Sequence, residues 1–155
     1  MQVATASGRA VVMGLFDPNA DHMSASGKLY PDATAGEDLP KLIEATSPDI
    51  VVVAGPDHLH AEQAILALEA GCHVLVEKPM ATTVADAERM IEAADRSDRH
   101  LMADHTVRYM YPWHEMSVAA QAGDVGDIFF IQGDYIHDMW SHYSPDGVRH
   151  TPWRI

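Results

Sequence analysis

Lys78 stands between Glu77 and Pro79, just after the apolar run His73 to Val76. An ammonium delivered to the end of a buried strand can reach a bound small molecule and hydrogen-bond its hydroxyl or carbonyl oxygen. Taken alone, Glu77-Lys78 also reads as an ordinary solvated pair, and such surface pairs seldom do more. A second turn points the same way. Ala54-Gly55-Pro56-Asp57 closes the run Ile50 to Ala54 and leads into a helical stripe. Ala54, Pro56 and Asp57 therefore fall at a helix N-terminus, where backbone N–H groups and the helix dipole favour a ligand. Both turns lie at one edge of a sheet, the edge at which open α/β sheets bind ligands.

Other residues have two readings each. Asp17 ends the first apolar run, Ala10 to Phe16, and is followed by Pro18. Its carboxylate can serve a ligand's hydroxyls, or it can simply form an Asp-Pro turn that stops a strand. His58 and His60 fall on the turn after Pro56. His105 and Arg108 leave a strand at the ligand edge and either touch a ligand or belong to a plain loop. Ten histidines invite a metal reading, yet His137, Asp138 and His142 match no helical or knuckle ligand spacing, so no metal is expected. Cys72 sits in a tight turn and is expected to pack rather than react. Most of the methionines, Met80, Met90 and Met102 among them, read as core filler.

The elements that must position these residues follow from periodicity. Ala10–Phe16 reads as a buried strand, and 20–36 as a short helix or loop with at most one small strand near Leu29-Tyr30. Asp38-Leu39-Pro40 starts a helix with the stripe Leu39, Leu42 and Ile43, and Ser47-Pro48 ends it. Four β-branched residues, Ile50 to Val53, predict a strand covered on both faces, as in a parallel sheet flanked by helices. Ala61, Ala64, Ile65 and Leu68 form the next helical stripe, closed by Gly71. His73–Val76 and His100–Ala103 read as strands. Between them Thr83 and Asp86 resemble a capping box, with Val84, Ala87, Met90, Ile91 and Ala94 as the buried stripe. After Asp104 a helix is expected over 116–122, stopped at Gly123, then a longer strand over Gly126–Tyr135. Alternating strands and helices with short connections predict a parallel α/β sheet.

Composition bounds the rest. The 155 residues carry 23 acids against 10 Lys+Arg, a formal net charge of −13, with 47% hydrophobic content. An acidic chain suits neither a phosphate backbone nor an anionic membrane, so no nucleic-acid or membrane partner is expected. No apolar run nears the roughly 20 residues that span a bilayer, and the start MQVATASGRA lacks the features of a secretory signal. A single cysteine excludes an intrachain disulfide and agrees with a reducing, cytoplasmic setting.

One constellation goes further. Pro56…His60, Ala70-Gly71-Cys72-His73-Val74 and Glu77-Lys78-Pro79, in that order and spacing, resemble the Gfo/Idh/MocA oxidoreductases, the glucose–fructose oxidoreductase and inositol dehydrogenase family. The likeness extends upstream to Asp17 and downstream through Arg108, Gly123-x-x-Gly126 and Thr151-Pro152-Trp153-Arg154. The resemblance implies a Rossmann-like, doubly wound parallel sheet over 1–106 and the beginning of a second α/β domain over 107–155. It implies Lys78 as the active-site lysine, with Glu77 and Pro79 shaping the nicotinamide end of a cofactor site. Asp17, Ala54, Pro56, Asp57, His60, Glu77, Lys78 and Arg108 would touch or shape that cofactor. A carboxylate in Asp17's place accepts both ribose hydroxyls and repels a 2′-phosphate, so NAD is expected ahead of NADP.

The glycine fingerprint of such a domain lies about 20 residues ahead of that acidic residue, and counting back from Asp17 runs off the start of the sequence. Ser7-Gly8-Arg9 precedes a strand instead of following one. The first strand, the glycine turn and most of the first helix are thus expected to be missing, and the family's catalytic histidine motif to lie beyond Ile155. The chain is expected to be an N-terminally truncated, interior piece of an enzyme. That enzyme would move hydride between NAD(P) and a hydroxyl-bearing sugar or cyclitol, with homo-oligomerisation left open. The alternative is a non-catalytic fragment, or a binding or interaction module of that family.

Overall fold

Three helices begin where a side-chain oxygen takes up an orphan backbone N–H. The computed structural model describes residues 2–134 and 136. After the short helix α1 (Gln2–Ala6), Asn19 Oδ1 accepts from the N–H groups of Asp21 and His22 and starts α2 (Ala20–Leu29). Asp38 Oδ1 accepts from Lys41 N–H and starts α3 (Leu39–Thr46), with Pro40 in its first turn. Thr83 Oγ1 accepts from Asp86 N–H at 3.1 Å and donates to Asp86 Oδ2 at 2.8 Å, starting α5 (Val84–Ser97). The helix α4 (His60–Glu69) is entered instead through a 3-10 turn, Asp57–Leu59. Gly71, at φ +88°, lets Cys72 N–H reach back to Ala67 O at 3.0 Å and ends it, as expected.

The strands form two parallel arrangements. β1 (Gly14–Phe16) pairs with β2 (Thr34–Gly36). β3 (Ile50–Val53) pairs in parallel with β4 (His73–Glu77), Val51 opposite Val74 and Val53 opposite Val76. β5 (Leu101–Asp104) adds to the other side of β4, giving the order β3-β4-β5. Among the described residues no strand bridges β1 and β3, and the two do not pair directly. The mixed α/β class with parallel sheets is as the sequence predicts.

The core lies on the face formed by Val51, Val53, Val74 and Val76. Leu68 of α4 and Met90 of α5 fill it, and Ala64, Ala67 and Ala93, each fully buried, let these helices approach closely. A smaller contact holds β1 and β2. Leu42 of α3 lies so near Gly14 that a Cβ there would sit 3.2 Å from it.

Several expectations need correction. β3 is not covered on both faces: Ile50 is 59% and Val52 41% exposed, because the helices around it lie on the Val51–Val53 side. The strand near Leu29-Tyr30 is three residues of β2 further on, since the Asn19 cap carries α2 through Leu29. In α5 the buried face is Met90, Ala93 and Ala94, while Val84 and Ile91 are exposed. The first strand shrinks to Gly14–Phe16.

The chain divides into two compact units, Met1–Ala103 and a second beginning at Asp104. The second holds a 3-10 turn, Thr106–Tyr109, and α6 (Trp113–Ala122), which Gly123 ends at φ +80°. Residues 126–134 form no strand, and Phe129, Phe130 and Ile131 are exposed there, so they lack the burial that would hold one. Tyr135, the group His137, Asp138 and His142, and Thr151 to Arg154 lie outside the described residues.

Candidate functional site

Parallel pairing of β3 and β4 brings their C-terminal ends to one edge. From β3 come Ala54, exposed, and Gly55, Pro56 and Asp57, half-buried. From β4 come Glu77, half-buried, then Lys78 and Pro79, both exposed. The Lys78 backbone N–H donates to Glu77 Oε2 at 2.9 Å, which anchors the residue while leaving its side chain outward. Among the described residues the Lys78 ammonium makes no ion pair, unlike the solvated Glu-Lys pair that the sequence alone allows. A free cation at a strand end can polarise an oxygen of a bound molecule.

His60, in the first turn of α4, joins the two turns. The residue is 1% exposed. Nδ1 lies 2.8 Å from Pro79 O, and Nε2 lies 3.0 Å from Gly55 O. Both ring nitrogens are thus occupied by backbone, and His60 shapes the edge rather than offering a polar atom to a ligand. Gln63, one turn on, lies against Gly55, where an added Cβ would come within 3.3 Å of its Oε1. A glycine there allows that close approach.

Asp17 follows the C-terminal end of β1. Its Oδ1 accepts from Asn19 N–H at 2.8 Å and its Oδ2 lies 3.2 Å from His22 Nδ1. The carboxylate therefore organises the start of α2 and keeps a partly exposed face. Sequence reasoning missed His22; a histidine in the first turn after Asn19, five residues from Asp17, was the available signal. Arg108 lies exposed in the 3-10 turn of the second unit, its N–H donating to His105 O. The structure thus brings Ala54, Pro56, Asp57, His60, Glu77 and Lys78 together, whereas Asp17 belongs to the other sheet and Arg108 to the other unit.

A cleft of about 800 Å³ opens at the opposite end of β3 and β4, lined by Asp49, Cys72, His73 and Arg99 among others. Its polar groups are used internally. Arg99 Nε donates to Gly71 O at 2.6 Å, and His73 Nδ1 accepts from His100 N–H at 2.9 Å beneath the stacked ring of His100. Burial pushes the Cys72 thiol pKa up, Arg99 opposing and Asp49 reinforcing the shift. In open α/β sheets ligands bind at the carboxyl ends of strands, which favours the Lys78 edge over this one. Among the described residues no three His, Cys, Asp or Glu side chains could hold a metal ion, and no helix is long and apolar enough to cross a membrane.

Comparison with known proteins bears on this edge. The oxidoreductase family with an NAD-binding Rossmann fold, Gfo/Idh/MocA, matches residues 2–105. D-glucoside 3-dehydrogenase of Escherichia coli strain K12 is 30% identical over 118 residues, 76% of this chain and 34% of that protein. The WlbA dehydrogenase of Bordetella pertussis, solved in complex with NADH and UDP-GlcNAcA, superposes with a TM-score of 0.74 at 30% identity, over 80% of this chain and 36% of that one. The aldose-aldose oxidoreductase of Caulobacter crescentus gives 0.64 at 31% identity, over 74% and 35%. The chain therefore spans about a third of the length of these relatives.

Proposed function

The chain belongs to the Gfo/Idh/MocA family of NAD-binding Rossmann oxidoreductases, and on that premise we propose that it forms part of an NAD-dependent dehydrogenase acting on a hydroxyl-bearing sugar or cyclitol. The observation that carries the reading is Lys78, an exposed cation with no ion pair among the described residues, on an anchored backbone at the carboxyl edge of a parallel sheet. That relatives include a glucoside dehydrogenase and a dehydrogenase solved with NADH and a nucleotide sugar supports the substrate class.

The edge fits a dinucleotide: Ala54 and Lys78 are exposed on it, and Gly55 keeps the turn between them slim. When bound, the nicotinamide supplies the hydride chemistry. Lys78 holds a proton at Nζ and donates a hydrogen bond to the reacting oxygen, most strongly where charge grows on it. Ala54, Pro56 and Asp57 line the edge, and Glu77 fixes the Lys78 backbone. Asp17 accepts the ribose hydroxyls through its exposed face and favours NAD over NADP. Arg108 is assigned to the cofactor by the family resemblance alone. The acidic charge and lone cysteine suit a reducing, cytoplasmic setting.

The whole protein, given NAD and a panel of sugars and cyclitols, is expected to reduce NAD with at least one of them and to be quenched by NADH binding at micromolar concentration. NADH binding with no turnover on any polyol or sugar would favour the non-catalytic module instead, and absence of both would remove the reading.

A further inference from the structure

A neutral imidazole carries one N–H donor and one lone pair. In His60 each ring nitrogen faces a backbone carbonyl oxygen at hydrogen-bonding distance, 2.8 Å to Pro79 and 3.0 Å to Gly55. A carbonyl oxygen only accepts. The neutral ring can therefore donate to one of them and must turn a lone pair on the other. With the residue 1% exposed, solvent has little access to relieve that contact. Whichever nitrogen carries the hydrogen, the ring stays wedged between the two carbonyls and spans both turns.

We propose that His60 is a positioning residue that ties the Gly55 turn to the Lys78–Pro79 segment. The bonds reach 5 and 19 residues along the chain, so one side chain cross-links the two turns that form the candidate edge. The consequence for chemistry, a Lys78 held in register with the β3 turn, rests on the dehydrogenase reading; the cross-link itself does not.

Hydrogen–deuterium exchange tests it without any ligand. His60→Phe, which loses the ring's polar contacts to both carbonyls, is expected to speed amide exchange about tenfold in 54–57 and 77–81, while Val74 and Val76 change less than about twofold. Unchanged exchange in those turns, or equal acceleration throughout the sheet, would overturn the cross-link. If His60→Phe does not fold, His60→Gln replaces it, keeping an amide N–H for one carbonyl and expected to loosen only one of the two turns. Loosening of neither or of both alike would count against the proposal. Failure of the dehydrogenase reading shows instead as absent turnover with these signatures intact.

Discussion

Lys78 is useful to a reaction only if its ammonium stays free while its backbone stays fixed. The Glu77 carboxylate spends an oxygen on the Lys78 N–H rather than on the ammonium, which meets both demands. Glu77→Gln keeps an acceptor at that place, so kcat is expected to fall less than about threefold, whereas Glu77→Ala frees the N–H and lowers it more; steady-state kinetics of both variants checks the order. At Asp17, replacement by Ala removes the proposed ribose acceptor and the charge that would repel a 2′-phosphate. The ratio of kcat/KM for NAD over NADP should drop about tenfold or more, and an unchanged ratio would leave Asp17 as the residue that merely organises Asn19 and His22. Cys72 is the opposite case. Burial raises its thiol pKa, so the native state holds its proton to higher pH than the unfolded chain does. The sign follows: as pH rises through the unfolded thiol's range the unfolded state loses the proton first, and stability falls towards the folded value. Cys72→Ala is expected to flatten that alkaline decline in urea melts recorded from pH 7 to 10, and a decline unchanged in the variant would contradict it.

At the scale of elements, local signals were legible and tertiary ones were not. Asp38, Thr83 and Gly71 announce their helix ends because caps act through residues two to four positions away. The buried stripe of α5 was legible in part: Met90 and Ala94 are buried as expected. Close packing of α4 on α5 buries Ala93 as well and leaves Val84 and Ile91 outside. The coverage of β3 was misread: four β-branched residues report a strand, but which face receives a helix depends on elements elsewhere. The site shows the same division. Lys78 and the Gly55-Pro56 turn could be placed from sequence, while the burial of His60 could not, since its partner Pro79 is 19 residues away. Packing here yields two tests. Leu68→Ala, at a fully buried position, should cost about 2–5 kcal/mol. Gly14→Ala pushes a methyl to 3.2 Å from Leu42 and should cost about 1–3 kcal/mol. Denaturant melts read both; a Gly14→Ala variant as stable as the parent would mean Leu42 simply moves aside.

For the whole molecule, the separation of the two sheets governs behaviour. β1 and β3 each present an edge with no partner among the described residues, and Ile50 and Val52 are exposed on β3. Unpaired apolar edges attract other strands. The 155-residue polypeptide studied alone is therefore expected to self-associate at micromolar concentration in sedimentation velocity, and a monodisperse species would show that those edges are protected. Catalysis by the whole protein offers the most direct test of the central claim, that Lys78 polarises the reacting oxygen at the carboxyl edge of a family NAD site. Lys78→Ala, assayed in the whole protein by steady-state kinetics alongside NADH binding, should lower kcat by about a hundredfold or more while the NADH dissociation constant changes less than about threefold. Turnover equal to the parent's, or a loss confined to NADH affinity, would contradict the account.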